Sequence, residues 1–194
     1  MNVERLRLHG VKTLVVDGDR ANATLLLEIL RGLGFTILKR AESAAAAFAA
    51  LDEAPHDLCI CDAQLPDMTG VDFTRAIRAR PAPARFLPLL LLTGYAAFDQ
   101  VTALRDAGAH LMMKKPASPQ GLYDRLAWAA QPKRAFVESE TYVGPDLRFR
   151  SLGPPGGVGR RATDLSIEIR AATEPNMSQD EIDSLIKPMR VMAE

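Results

Sequence analysis

From Val11 to about Gln131 the chain alternates short apolar runs with longer stretches in which apolar residues recur at helical spacing. The runs are VKTLVVD, FTILKRA, DLCICD, LPLLLLT and HLMMKK, several of them apolar almost throughout, as strands covered on both faces must be. Between them lie RANATLLLEILRGLG, SAAAAFAALDEA, TGVDFTRAIRAR and AAFDQVTALRDAG, with SPQGLYDRLAWAA after the last. Leu26, Ile29, Leu30 and Leu33 share one helical face, and Gly34 follows where a C-terminal glycine is expected. Strand–helix units in this order predict an α/β fold built on a doubly wound parallel sheet. Parallel neighbours need crossover connections, and the crossover helices cover both faces.

The pattern changes after Gln131. Residues 132–176 are rich in Pro, Gly and Arg without a sustained apolar period, which predicts a flexible, largely disordered linker rather than a second core. Its arginines Arg148, Arg150, Arg160 and Arg161 read as solvated positions. Residues 177–194 close with SQDEIDSLI, in which Ser178 and Glu181 fit an S-x-x-E capping box and Ile182, Leu185 and Ile186 form one apolar stripe before Pro188. This predicts a short amphipathic helix with no domain of its own. Residues 1–10 are a lead segment before the first unit.

Composition narrows the function classes. Across 194 residues, 24 basic and 24 acidic side chains balance, so no overall field draws the chain to nucleic acid or an anionic membrane. The region after Gln131 is also too short and too rich in Pro and Gly for a compact helix-turn-helix output. The first residues, MNVERLRLHG, lack the apolar core of a secretion signal, and no apolar run has the length of a membrane helix. Cys59 and Cys61 are two residues apart in one strand and share a face, which suits a buried reduced pair and a cytoplasmic setting. His9, His56 and His110 are scattered and read as surface or loop residues.

Ligands of open parallel sheets bind beyond the carboxyl ends of the strands. There the first strand presents Asp17, the third Asp62, the fourth Thr93 and the fifth Lys115 followed by Pro116. Either acid alone reads equally well as a helix cap or a solvated loop residue. Together, a carboxylate pair, a hydroxyl and an ammonium suit a hard cation and a phosphoryl group. No glycine-rich phosphate loop and no nucleophile–base pair supports an enzyme on the same sheet, beyond self-phosphorylation and dephosphorylation.

In this order and spacing VDGDR, CDAQLPDMTG, LLTG and KKP resemble the receiver domain of bacterial response regulators, the family that includes the chemotaxis protein CheY. The resemblance covers residues 11–131. It implies a flavodoxin-like sheet of strand order 2-1-3-4-5 and phosphate transfer from a histidine kinase or phosphotransfer protein. Carried over residue by residue, Asp62 is the phosphoacceptor, and Asp17 and Asp62 with the backbone carbonyl of Gln64 bind Mg²⁺. Thr93 is the switch hydroxyl and Lys115 the phosphoryl contact, with a cis peptide at Pro116. Pro66 and Gly70 match the loop after the phosphoacceptor.

This chain departs from the family pattern at two positions. Gly18 stands where a second acid usually follows the first, leaving Asp19 either to cap the next helix or to swing inward to the metal. A lost direct ligand predicts weak Mg²⁺ binding, since even outer-shell losses cost about 10–100-fold in affinity. Met112 stands where the family has a switch Tyr or Phe, which predicts softer coupling to the output face. Two readings therefore compete. One is a stand-alone phosphorylated receiver in a chemotaxis or motility pathway; the other is a degenerate receiver acting as a phosphorylation-independent adaptor.

Ser178 to Ile186 also resembles the N-terminal peptide of the flagellar motor switch protein FliM, with Met177 where that peptide has Leu. The resemblance implies binding through Ser178, Glu181, Ile182, Leu185 and Ile186, either to the chain's own output face or to other receivers or the motor in trans.

Overall fold

A computed structural model describes residues 8–129, 136–139, 142–145 and 177–186, with residues 184–186 described by their backbone alone. The expected units form in the expected order: β1 (Lys12–Val16), α1 (Arg20–Gly32), β2 (Ile37–Ala41), α2 (Ala44–Glu53), β3 (Leu58–Asp62), α3 (Gly70–Arg78), β4 (Leu89–Thr93), α4 (Phe98–Asp106), β5 (Leu111–Lys114) and α5 (Pro119–Ala129). The sheet has five strands in the order β2-β1-β3-β4-β5, all parallel. Strand order reverses between β1 and β3, and the register sets Val16 beside Cys61 and Asp62 beside Leu92, bringing the first and third strand ends together.

The alternation of side chains along each strand divides the core in two. Leu14, Cys59, Cys61, Leu91 and Met112 face α2, α3 and α4, meeting Phe73 and Ile77 of α3 and Leu104 of α4. Val15, Ile60, Leu90, Leu92 and Met113 face α1 and α5, meeting Leu30 and Leu122. Each fully buried Leu, Ile or Phe contributes about 1.5–3 kcal/mol by leaving water, so the two layers clamp the sheet from both sides. Alanines 44, 47 and 50 are the buried positions of α2, and their small size lets that helix lie close to the sheet.

Local chemistry fixes the helix ends. Asp19 caps α1 through Ala21 N–H (2.7 Å) and Asn22 N–H (2.9 Å), and Thr69 caps α3 through Asp72 N–H (3.2 Å). Ser43 caps α2, helped by the Asp67 carboxylate on Ala44 N–H and Ala45 N–H. Gly34 lies just past α1 with φ +101°, a left-handed conformation that a side chain would strain.

Two expectations are corrected. The stretch read as linker contains β6 (Phe136–Glu138) and β7 (Val143–Pro145), an antiparallel pair that packs against the receiver. Its Phe136 ring meets the His110 ring edge-on at 4.5 Å and lies 5.2 Å from the Arg78 guanidinium. His110, expected at the surface, is therefore buried at 6% exposure, with Nδ1 facing N–H groups of Leu89 and Arg78 at 3.4 Å each. Arg148, Arg150, Arg160 and Arg161 lie outside the described residues. The predicted C-terminal helix, α6 (Gln179–Ile186), forms and lies against α4 and β5. Among the described residues no helix is long and apolar enough to cross a membrane.

Candidate functional site

Three charged side chains meet at the carboxyl end of the sheet. Lys115 Nζ donates to Asp17 Oδ2 at 3.0 Å and to Asp62 Oδ2 at 2.9 Å, bridging two strand ends from the residue just past β5. The other oxygens take backbone donors, Asp17 Oδ1 from Asp19 N–H (2.8 Å) and Asp62 Oδ1 from Gln64 N–H (3.1 Å). Asp17 is only 2% exposed, a burial that an acid tolerates when it is paired and hydrogen-bonded. Burial alone would lower the Lys115 pKa; the hydrogen bonds and charges of Asp62 and Asp17 outweigh it and raise the net value. The Lys115–Pro116 peptide is cis, as the resemblance implied.

Of the remaining expected residues, Thr93 is buried at the end of β4, where its hydroxyl donates to the Tyr95 carbonyl and accepts Tyr95 N–H at 3.2 Å. It thus orders the loop leaving β4. Gln64 opens the tight loop after β3, bridged to Thr69. Asp19 is engaged as the α1 cap, and the N–H groups of Asn22 and Ala21 hold its carboxyl below the ordinary range. Met112 lies fully buried inside the core layer that α6 covers. Cys59 and Cys61 are free and buried on one face; burial pushes the Cys59 thiol up to about 12 and Cys61 well above its ordinary value, so neither is a thiolate at neutral pH.

For a hard cation the site offers a small donor set. Among the described residues no group of three or more His, Cys, Asp or Glu side chains gathers around one point. Mg²⁺ needs only one or two carboxylates when other oxygens complete its octahedron, and Asp17, Asp62 and the Gln64 carbonyl meet that minimum. A side chain at position 18 would require the Pro66 ring to shift: a Cβ there would stand 2.9 Å from Pro66 Cδ.

Beside the acids opens a mostly apolar pocket of about 300 Å³ between α1 and the β5–α5 loop, lined by Leu25, Leu26, Ile29, Pro116 and the stems of Asp17 and Lys115. Leu25 is 61% exposed at its rim. On the adjoining face, α6 is joined to the domain through Arg125 and Asp183, a pair that sequence reading missed. Asp183 stands alone in pattern, and its partner lies 58 positions earlier in the chain. Ser178 and Glu181 form the expected capping box, with Glu181 Oε2 accepting Ser178 N–H at 2.6 Å and Ser178 Oγ accepting Glu181 N–H at 3.3 Å. Ile182 is buried, whereas the side chains of Leu185 and Ile186 lie outside the described residues.

The family description "Response regulator receiver domain" matches residues 13–127. Chemotaxis protein CheY of Pseudomonas aeruginosa is 32% identical over 116 residues, 60% of this chain and 93% of its own length. Transcriptional regulatory protein ZraR of Salmonella typhimurium is 32% identical over 150 residues, 77% of this chain but 31% of ZraR. Among solved structures, chemotaxis response regulator CheY4 of Vibrio cholerae superposes with a TM-score of 0.57 at 27% identity, covering 61% of this chain and 98% of that one. A CheY-like receiver domain protein from Methanospirillum hungatei gives 0.53 at 28% identity, covering 59% and 89%.

Proposed function

The chain belongs to the response regulator receiver domain family of two-component signalling, and on that premise we propose that it accepts a phosphoryl group on Asp62 from a histidine kinase or phosphotransfer protein and signals by protein–protein contact. The observation that carries this reading is the bridge from Lys115 Nζ to Asp62 Oδ2 at 2.9 Å and Asp17 Oδ2 at 3.0 Å. It holds an ammonium against the prospective nucleophile. In the transfer an Asp62 oxygen attacks the phosphorus of a phosphohistidine. The P–N bond breaks as the P–O bond forms, and the departing imidazole takes a proton from solvent. Lys115 remains beside the acyl phosphate and neutralises charge on its oxygens.

Asp17, Asp62 and the Gln64 carbonyl would hold a Mg²⁺ ion, which when bound offsets the charge of the phosphoryl oxygens. Its affinity is low, because Gly18 supplies no carboxylate. The apolar pocket beside the acids, rimmed by exposed Leu25, suits the helix of a phosphodonor protein. Likeness to chemotaxis CheY proteins supports chemotaxis or motility as the setting. The resemblance of residues 178–186 to the motor-switch peptide supports another receiver or the motor as a partner in trans.

The test is incubation of the full chain with Mg²⁺ and acetyl phosphate, read by intact mass and phosphate-affinity electrophoresis. A singly phosphorylated form is expected from the wild type and none from Asp62→Asn. A second reading, an adaptor that works without phosphate, is favoured by the Gly18–Pro66 packing and by Met112 at the switch position. An unphosphorylated chain that still binds its partner supports that second reading.

A further inference from the structure

Helix α6 is attached to the receiver by contacts that run from Met177 to Asp183. At its start Met177 N–H donates to the Ala96 carbonyl at 2.7 Å. Two residues on, Gln179 Oε1 accepts Lys114 N–H at 2.6 Å while its amide reaches the Met112 carbonyl at 3.4 Å, so that its side chain covers the backbone of β5, the edge strand of the sheet. Ile182 follows, 0% exposed, in the same buried cluster as Met112, Ala96, Val101 and Leu104. Asp183 completes the attachment: both its oxygens accept from Arg125 Nη2 at 3.0 Å. Gln179 Nε2 donates to Asp183 Oδ1 at 2.9 Å and so links the two polar anchors.

These contacts divide the work of a binding site in the usual way, one apolar anchor at the centre and polar groups that fix direction and register. Arg125 also reaches the Gly121 carbonyl at 3.1 Å, which aims its guanidinium before any ligand arrives. A buried guanidinium without a carboxylate is costly, so the surface selects for an acid at this point. An eight-residue helix is not stable in water by itself. The helical form of α6 is therefore a product of docking.

We infer that α6 is a resident, autoinhibitory ligand seated on the surface formed by α4, β5 and α5. It withholds the seat from a partner helix of the same chemistry: an apolar side chain in the place of Ile182, an acid next to it for Arg125, and an amide one turn earlier for the β5 backbone. Residues 146–176 tether α6 to β7, so its docking is intramolecular. A tether of this kind gives an effective concentration on the order of millimolar, and a partner helix must compete against it. The anchors lie close to the acid cluster in sequence, Ala96 on the loop that Thr93 begins and Lys114 next to Lys115. The inference itself does not depend on phosphate at Asp62.

The test uses the full chain and a fluorescein-labelled synthetic peptide of residues 176–194, titrated by anisotropy. Ile182→Asp in the chain removes the resident anchor and leaves the seat intact. The peptide is expected to bind this variant at least about tenfold more tightly than the wild type, consistent with loss of the tethered competitor. Adding Arg125→Glu to the chain should abolish that binding, and a peptide carrying Asp183→Arg should restore it. Hydrogen exchange of the same samples should show residues 179–186 protected in the wild type and unprotected in Ile182→Asp, with the sheet amides unchanged. Should Ile182→Asp disturb the sheet, Asp183→Arg in the chain provides the same comparison from the rim of the seat. Equal binding to wild type and variant, no binding to the variant, or failure of the charge exchange to restore it would each overturn the inference.

Discussion

Gly18 and Pro66 occupy one another's space: a Cβ on Gly18 would come within 2.9 Å of Pro66 Cδ and 3.3 Å of Cγ. Any side chain beside Asp17 therefore requires the ring of Pro66 to move. Gly18→Asp alone should strain the ring contact and cost about 1–3 kcal/mol, the usual range for overpacking, measured by urea unfolding. Gly18→Asp with Pro66→Ala should remove the clash and bind Mg²⁺ at least about tenfold more tightly than the wild type, the scale of a ligand change. Isothermal titration reads the affinity. An unchanged affinity in the double variant would show that the carboxylate at 18 does not reach the ion.

Lys115 ties alkaline stability to the site. Its folded pKa is raised by Asp62 and Asp17 over the opposing effect of burial. Its contribution is therefore complete below the ordinary lysine value of 10.5 and is lost as pH climbs through the higher folded value. The difference in urea midpoint between wild type and Lys115→Met should stay level from neutral pH to about 10.5 and shrink above it. Other lysines titrate in the same range, but they are common to both proteins and cancel in the difference. A difference that grows with alkalinity would contradict the bridge.

The sheet was legible because its chemistry is local. Each strand is a short run whose alternate residues feed the two layers, as Leu14 and Val15 do, and Gly34 marks a helix end by its own backbone preference. The acid cluster was legible for a related reason, since Asp17, Asp62 and Lys115 each sit where a strand stops. Contacts made by residues far apart in sequence were not legible. His110 looked like a surface residue because nothing beside it predicts Phe136 on its ring, and three-residue strands such as β6 and β7 are too short for a periodic signal. Nothing in the sequence around Arg125 points to Asp183, 58 positions further on.

Arg78 tests whether the hairpin belongs to the domain. Its guanidinium donates to the carbonyls of Gly108 (3.0 Å), Arg85 (2.8 Å) and Leu87 (2.9 Å), joining α3 to the start of β4 and the α4–β5 turn. Burial lowers its pKa to about 10, which leaves it protonated at neutral pH. Arg78→Ala strands these carbonyls and should cost about 1–3 kcal/mol for each that is left without a donor. Phe136→Ala removes only the ring contacts with Arg78 and His110 and should cost about 1–2 kcal/mol. Calorimetric unfolding ranks the two; a negligible loss from Phe136→Ala would mean that β6 and β7 add nothing to the domain's stability.

Met112 and Ile182 share one buried cluster, and the Met112 carbonyl faces both the Gln179 amide and Arg125 Nε at 3.4 Å. Methionine suits this position because an unbranched thioether fills an irregular space without demanding a fixed ring plane. A ring placed here must either stay inward against Val101 and Leu104 or turn outward into the volume of Ile182. In a core already filled to the seat of α6, the outward choice expels the helix. Met112→Tyr should accordingly leave the sheet amides protected and raise hydrogen exchange across residues 179–186 by at least about tenfold, the loss of about 1.4 kcal/mol of docking free energy. Unaltered protection of α6 in Met112→Tyr would place the ring inward and separate the switch position from the tail.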